Sequence, residues 1–363
     1  MIWLTWRQFR AQAIAAAAAL AVFAILLAVT ASDLSSMYDS SGLLTCHGGA
    51  CAGLASQFLG NLSSAGGGFL IPGSSWMILY FVSVLVILIA PAITGCFWGA
   101  PLIARELEAG TFRLTWNQSI TRTRWLAVKL TLAGVAAMAV TEAFSLIQAW
   151  WAAPIGKAVG LGGGSSIFSE GRFGWFVFPT HGITPLGYAA FAFALGVTAG
   201  LLIRHPIPAM ATTLAIFAAI QFITPLWIRP NLFPTSHTVA TIAAANAGVT
   251  TTKFSPNLKV TATVPGQPGA WILSTRIVSP AGQPVSAVPA FCDSAIPAVN
   301  THGKVGQTSA LTNCLASHGM RVAESYQPAS HYWPLQLAET GLFLILALAL
   351  AWYCFWRLNR RGS

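Results

Sequence analysis

Six long apolar runs set what this chain can fold into. They cover 13–31, 76–98, 125–152, 183–203, 207–228 and 335–356. About 20 residues at 1.5 Å each cross the roughly 30 Å hydrocarbon core of a bilayer. Lipid offers no water to bond the backbone, so each run must close its own hydrogen bonds as a helix. The runs predict an all-α polytopic membrane protein with six transmembrane helices. Composition excludes the soluble alternative: only 8% of the residues are charged, against about 25% in a typical soluble domain. The thinnest boundary lies between spans four and five. There Arg204, His205, Pro206 and Pro208 interrupt the apolar run, because proline stops a helix and a charge seeks the interface.

The formal net charge is +10. In a chain this apolar, the excess base is read as positive-inside anchoring and contact with anionic membrane lipid, not as a nucleic-acid surface. Placing both termini in the cytoplasm puts Arg7, Arg10, Arg105, Arg113, Arg122, Arg124, Lys129, Arg204, Arg357, Arg360 and Arg361 on the inner face. That is the expected topology of a multi-pass protein of the cell membrane. Residues 1–12 mix Ile2, Trp3, Trp6 and Phe9 with Arg7, Gln8 and Arg10, a pattern suited to an interfacial helix before the first span. A cleaved signal peptide is the competing reading of this end, from the same bases and Ala28-Val29-Thr30-Ala31.

Spans one to five with their connections occupy 13–228, including a cytoplasmic loop at 100–124. An extracellular domain at 229–334 separates spans five and six, and 335–363 forms the last span and a basic tail. The domain is expected to contain β structure. Leu258 to Val264 alternates apolar and polar residues, Pro265-Gly266 is a turn, and Trp271 to Val278 is a second strand. The two strands are expected to form a hairpin. Cys46 and Cys51 share the first outer loop, while Cys292 and Cys314 share the outer domain. Both pairs are expected as disulfides in an oxidising exterior. A zinc site on Cys46, His47 and Cys51 is the weaker reading, because it lacks a fourth ligand and a standard spacing. Cys96 and Cys354 fall near the inner ends of spans.

No Walker A pattern and no His-Glu-x-x-His metal site is present, so no bound cofactor or metal is expected on this chain. One acid lies well inside an apolar run. Glu142, with Gln148 six residues on, is a candidate for the membrane path, since a carboxylate in lipid must face the bundle interior or water. A helix-packing role is the competing reading. Glu339, near the start of span six, reads as an interfacial residue.

The most distinctive polar segment follows span two. It runs Arg105-Glu106-Leu107-Glu108-Ala109-Gly110-Thr111-Phe112-Arg113, then Trp116-Asn117-Gln118-Ser119 and Thr121-Arg122-Thr123-Arg124-Trp125, with Lys129 beyond. This segment resembles the coupling loop of ABC type-2 exporter permeases, and its later part resembles an actinobacterial branch of them. The resemblance implies a permease subunit without its own ATPase site. Its partners would be a separate ABC ATPase in two copies, carrying ATP and Mg, and a second permease copy or paralogue. It also implies a short coupling helix formed by Arg105, Glu106, Leu107, Glu108, Gly110, Thr111 and Phe112. In it, Glu106 and Glu108 would meet bases of the ATPase, and Leu107 and Phe112 would fill an apolar pocket. The long outer domain departs from the family pattern, which has a short element there. Two other readings compete. One is a membrane-anchored sensor or assembly protein with a ligand-binding outer domain. The other is a secondary transporter using Glu142 for protons.

Overall fold

The computed structural model describes residues 2–47, 50–64, 76–108, 121–161, 171–245, 247–252, 255–262, 264, 267, 269–295 and 309–360. Among them are six helices long and apolar enough to cross a membrane: Phe9–Ser40, Trp76–Glu108, Thr123–Trp151, Thr184–Ile203, Pro206–Asn231 and Ala329–Arg360. Each coincides with one of the expected runs. The chain divides into two compact units. One comprises Met1–Leu232 with Trp333–Ser363 and holds all six spans except the first turn of the sixth. The other is Phe233–Tyr332.

The first helix runs unbroken over Ile2–Ser40. The segment expected to lie in the interface is therefore continuous with the first span, with no backbone break at residue 12. Between spans four and five the expected boundary is sharp. Arg204 closes the fourth helix in the left-handed region (φ 63°), and Pro206 opens the fifth. Proline at the first helical turn costs nothing, because that N–H has no intrahelical acceptor.

The fourth span is the centre of the bundle and is buried along nearly all its length. It is made of small residues where it meets the second span. A side-chain carbon at Gly95 would lie 2.5 Å from the Ala192 carbonyl oxygen, and one at Gly99 would lie 2.6 Å from that of Phe193. From the other side, carbons at Gly196 and Gly200 would run into the carbonyls of Gly95 and Ala100. The obstructing atoms are backbone, so no rotamer change relieves them. Lipid tails are as apolar as leucine, and close backbone approach supplies the attraction between such helices.

The second span carries the irregularity that this contact uses. Pro91 lies inside it, and a π-helical turn follows at Thr94–Gly99 before the α-helix resumes at Ala100–Glu108. Proline removes a donor and clashes with the carbonyl four residues back, and a π turn absorbs the displaced register. Gln12 of the first span donates its side-chain amide to the Phe97 carbonyl of that turn at 3.0 Å. The fifth span ends on a second π turn, Thr224–Ile228, containing Pro225.

The second unit is a four-stranded antiparallel sheet in the order β1 (Ser236–Thr241), β6 (Arg321–Gln327), β4 (Trp271–Val278), β5 (Pro284–Val285). A separate pair joins β2 (Gly248–Thr252) to β3 (Ser255–Thr261). The two strands read from the sequence are β3 and β4, but they do not form a hairpin. β3 pairs with β2, and β4 pairs with β6 and β5. Alternation marks a strand but does not choose its neighbour, which shared burial decides. The turn expected at Pro265-Gly266 lies outside the described residues. Ile242, Ile277, Leu311, Leu315, Met320 and Val322 form the core, with the buried Cys292 beside them. A disulfide to Cys314 (Cα–Cα 5.9 Å) ties the helix Ser309–Ser317 to that core. Cys46 and Cys51 are also bonded, with Cα atoms 5.4 Å apart.

Glu324 of β6 is an exception within this unit. It is 2% exposed, and neither carboxylate oxygen has a partner among the described residues. Its cross-strand neighbours are Thr238 and Thr275. The exposed Arg276 and Arg321 stand on the opposite face of the sheet, by alternation. Burial pushes the Glu324 carboxyl above the usual range. The folded state therefore holds this proton more tightly than the unfolded state. The stability it contributes is complete below the ordinary carboxylate range and is lost as pH rises through the raised value. Glu324→Gln, neutral throughout, is expected to protect β6 amides from hydrogen exchange more than the native residue does at neutral pH. That advantage should vanish in acid, and equal protection at pH 7 would show that the carboxylate is solvated.

Candidate functional site

The charged segment after span two is not a separate helix in its described part. Ala100–Glu108 continues the span in about two and a half strongly amphipathic turns. Ala100, Pro101, Ile103 and Ala104 are buried, Glu106 and Leu107 are half-buried, and Arg105 and Glu108 are exposed. Leu107 packs against a cluster containing Phe9, Trp98, Ile103, Trp125 and Leu126. Gly110, Thr111 and Phe112 lie outside the described residues.

The two acids have different surroundings. The Glu106 carboxylate receives a hydrogen bond from the Lys129 ammonium on the third span, and both side chains are largely buried. Lys129 also sits over the Trp125 ring, 4.8 Å from its centroid. Glu106 is thus turned toward its own protein, while the base expected to meet it belongs to a partner subunit. The reason is geometric: Glu106 projects from the helix flank that packs on span three, and a buried ammonium there requires a counter-charge. Glu108 points outward and, among the described residues, meets only His205 of the turn between spans four and five, at 3.1 Å, with both groups well exposed. Thr121 begins the third helix, its hydroxyl accepting the Arg124 backbone N–H.

The membrane-path candidates do not come together. Glu142 is half-buried, with one carboxylate oxygen lacking a partner, while Gln148 is fully buried with both amide atoms unpartnered among the described residues. Six residues apart on a helix, they lie about 120° from each other. The third span nevertheless holds other inward polar groups. Ser145 donates to the Thr180 carbonyl at 2.8 Å, and the Trp151 indole donates to the Thr30 hydroxyl at 3.0 Å.

The most complete polar cluster was not apparent in the sequence. Arg229, at the end of span five, and Glu339, in span six, are both wholly buried and form a bidentate pair, with N–O distances of 2.8 and 3.1 Å. The Tyr188 hydroxyl of span four donates to the same carboxylate at 2.8 Å, and the guanidinium lies 4.0 Å from the Phe178 ring centroid. One turn away, the Gln336 carbonyl oxygen accepts the Thr184 hydroxyl at 2.7 Å and the backbone N–H groups of Ile183 and Thr184. Its amide donates to the Phe178 carbonyl. Glu339 is therefore an interior residue and not an interfacial one, and Arg229 belongs with the spans. The signal in the sequence was a single acid and a single base near the facing ends of consecutive spans. Opposite charges at such depth are costly unless they meet.

In the second unit the Cys292 and Cys314 sulfurs and a His318 ring nitrogen lie within 4.8 Å of one another. The sulfurs are bonded together, so they offer no thiolate to a metal. The same holds for Cys46 and Cys51 beside His47.

Six apolar helices, the second and fourth packed through small residues, with a charged end on the second, define a multi-pass membrane protein. The chain belongs to the family described as ABC-2 membrane transporter related, which matches residues 17–229, more than half of its length. The match covers nearly all of spans one to five and ends at Arg229, before the second unit. No curated protein and no solved structure matches the chain. Family membership makes it the membrane subunit of a transporter and implies an ABC ATPase as partner.

Proposed function

We propose that this chain is the permease subunit of an ATP-driven ABC exporter, working with two copies of a separate ATPase and a second permease copy or paralogue. ATP and Mg belong to the ATPase, and both termini lie in the cytoplasm. The observation that carries the reading is the end of the second span. Arg105 and Glu108 stand exposed on a helix that is fixed to span three by the buried Glu106–Lys129 pair. A rigid lever of this kind passes a push at residue 108 directly to Gly95 and Gly99, where the second span touches the fourth. ATP-driven closure of the ATPases would then switch the path as a rigid-body transition. Glu142 and Gln148 are proposed to meet that path on separate flanks of the third span, because among the described residues their polar atoms lack full partners and need water or cargo to bond.

The test is co-purification with the ATPase, together with hydrolysis rates. Among the described residues Glu108→Lys removes only an exposed contact to His205, so the permease itself should fold normally. Removing one partner of a buried charged contact across an interface costs about 2–5 kcal/mol. Glu108→Lys is accordingly expected to lose most of the bound ATPase and its coupled hydrolysis. Unchanged assembly and hydrolysis would show that this helix end does not dock.

A further inference from the structure

A cavity of about 240 Å³ lies between the start of the first span and the end of the second, lined by Phe9, Gln12, Trp98, Leu102, Arg105 and Glu106, with Pro101. From Trp98 to Glu106 the lining residues fall at intervals of three and four, so one face of that helix forms one wall. Phe9 and Trp98 meet edge to face at 4.8 Å and make an aromatic floor. The charges on this wall are unequal. Glu106 is neutralised by Lys129. Arg105 is exposed and has no partner among the described residues. The cavity thus combines an apolar, aromatic floor with one uncompensated positive charge.

We propose that this cavity binds an anionic phospholipid from the leaflet on the N-terminal side of the membrane. The phosphate would sit on the Arg105 guanidinium, and the glycerol and the first acyl carbons would lie on Leu102, Phe9 and Trp98. Charge complementarity selects the occupant. A neutral apolar molecule would leave Arg105 unpaired, and a free anion would leave the aromatic floor wet. An amphiphile with an anionic head satisfies both. Both walls belong to membrane spans, and aromatic and basic side chains mark the depth at which headgroups lie. The site goes beyond the coupling role proposed above, because it needs no ATPase.

The test uses the full chain in detergent, without the ATPase, and native mass spectrometry. Phosphatidylglycerol and phosphatidylcholine of matched acyl chains are titrated separately, and glycerol 3-phosphate supplies the free-anion arm. The native chain should retain phosphatidylglycerol in preference to phosphatidylcholine and show no retention of glycerol 3-phosphate. One base at an anionic surface is worth about a fivefold preference, so Arg105→Gln should reduce the preference by about that factor. Arg105→Lys should keep it. Leu102→Trp, which fills the cavity, should remove the preferentially held lipid, while Arg276→Gln in the second unit should change nothing. Equal retention of the two lipids overturns the proposal, as does a preference unaffected by either Arg105→Gln or Leu102→Trp. Retention of glycerol 3-phosphate through Arg105 would assign the site to a free phosphate instead. Because no arm contains the ATPase, failure here leaves the coupling reading standing, and failure of Glu108→Lys leaves the lipid site standing.

Discussion

Replacing either member of the Arg229–Glu339 pair alone is expected to destabilise the membrane unit by about 3–5 kcal/mol, the usual cost of leaving one buried charge uncompensated. Both side chains are fully buried, and the pair joins spans five and six across 110 residues. Arg229→Met would leave the Glu339 carboxylate with the Tyr188 hydroxyl as its remaining donor from this cluster. Glu339→Leu would leave the guanidinium with a ring face and no anion. The double variant Arg229→Met with Glu339→Leu removes both charges and fills the space with apolar groups. It is expected to be neutral or more stable, because the desolvation of two ions is no longer required. Thermal unfolding in detergent, read by size-exclusion fluorescence, measures all three. Single variants with native stability would show that the pair is open to water. The cluster also gathers spans four, five and six with the residues before Thr184. A stable double variant that lost transport would therefore give the pair a role in the moving parts beyond folding.

Reversing Glu106 is expected to be nearly as damaging, and for a reason unrelated to docking. Glu106→Lys sets a second ammonium against Lys129, whose side chain is 4% exposed. Breaking the pair, even without reversal, falls in the same range of about 3–5 kcal/mol, reduced because Glu106 retains some solvent contact. Lys129→Met should behave similarly, because it takes the buried ammonium away from the Glu106 carboxylate. The exchange Glu106→Lys with Lys129→Glu restores opposite charges and should recover most of the folded yield. Recovery separates an internal pair from a docking contact, since an ATPase groove complementary to an acid would not accept the exchanged base. If the exchange variant folds no better than Glu106→Lys alone, the internal pair is not what holds the two spans. A loss of ATPase binding in Glu106→Lys is therefore not evidence of docking unless folded yield is measured in the same preparation.

The six spans were legible because the bilayer imposes a length and forbids unpaired backbone. Any chain of this composition must declare its helices as apolar runs. The break at Arg204 to Pro208 was legible for the same kind of local reason: proline and a left-handed residue act within one turn. The disulfide partners were legible because each pair shared one segment between spans. The Lys129 position was noticed, but its partner was not. Twenty-three residues separate it from Glu106, and only the packing of span three on span two brings them together. Glu339 was misread for a similar reason. A lone acid near a span end has a cheap local solution in the interface, and only the arrival of Arg229 makes burial the better one. The β3–β4 hairpin failed because alternation gives a face to a strand and no neighbour.

The sequence by itself determined the class of protein, the number and limits of its spans, the two disulfides and the charged helix end that resembles a coupling element. These follow from interactions within a turn, a run or a loop. The tertiary structure decided which charges face inward and which stay exposed, which glycines allow two backbones to touch, and where a cavity is left between the first and second spans. Those depend on residues far apart in the chain, and a buried charge or a missing side chain acquires its meaning only from the group that packing sets against it.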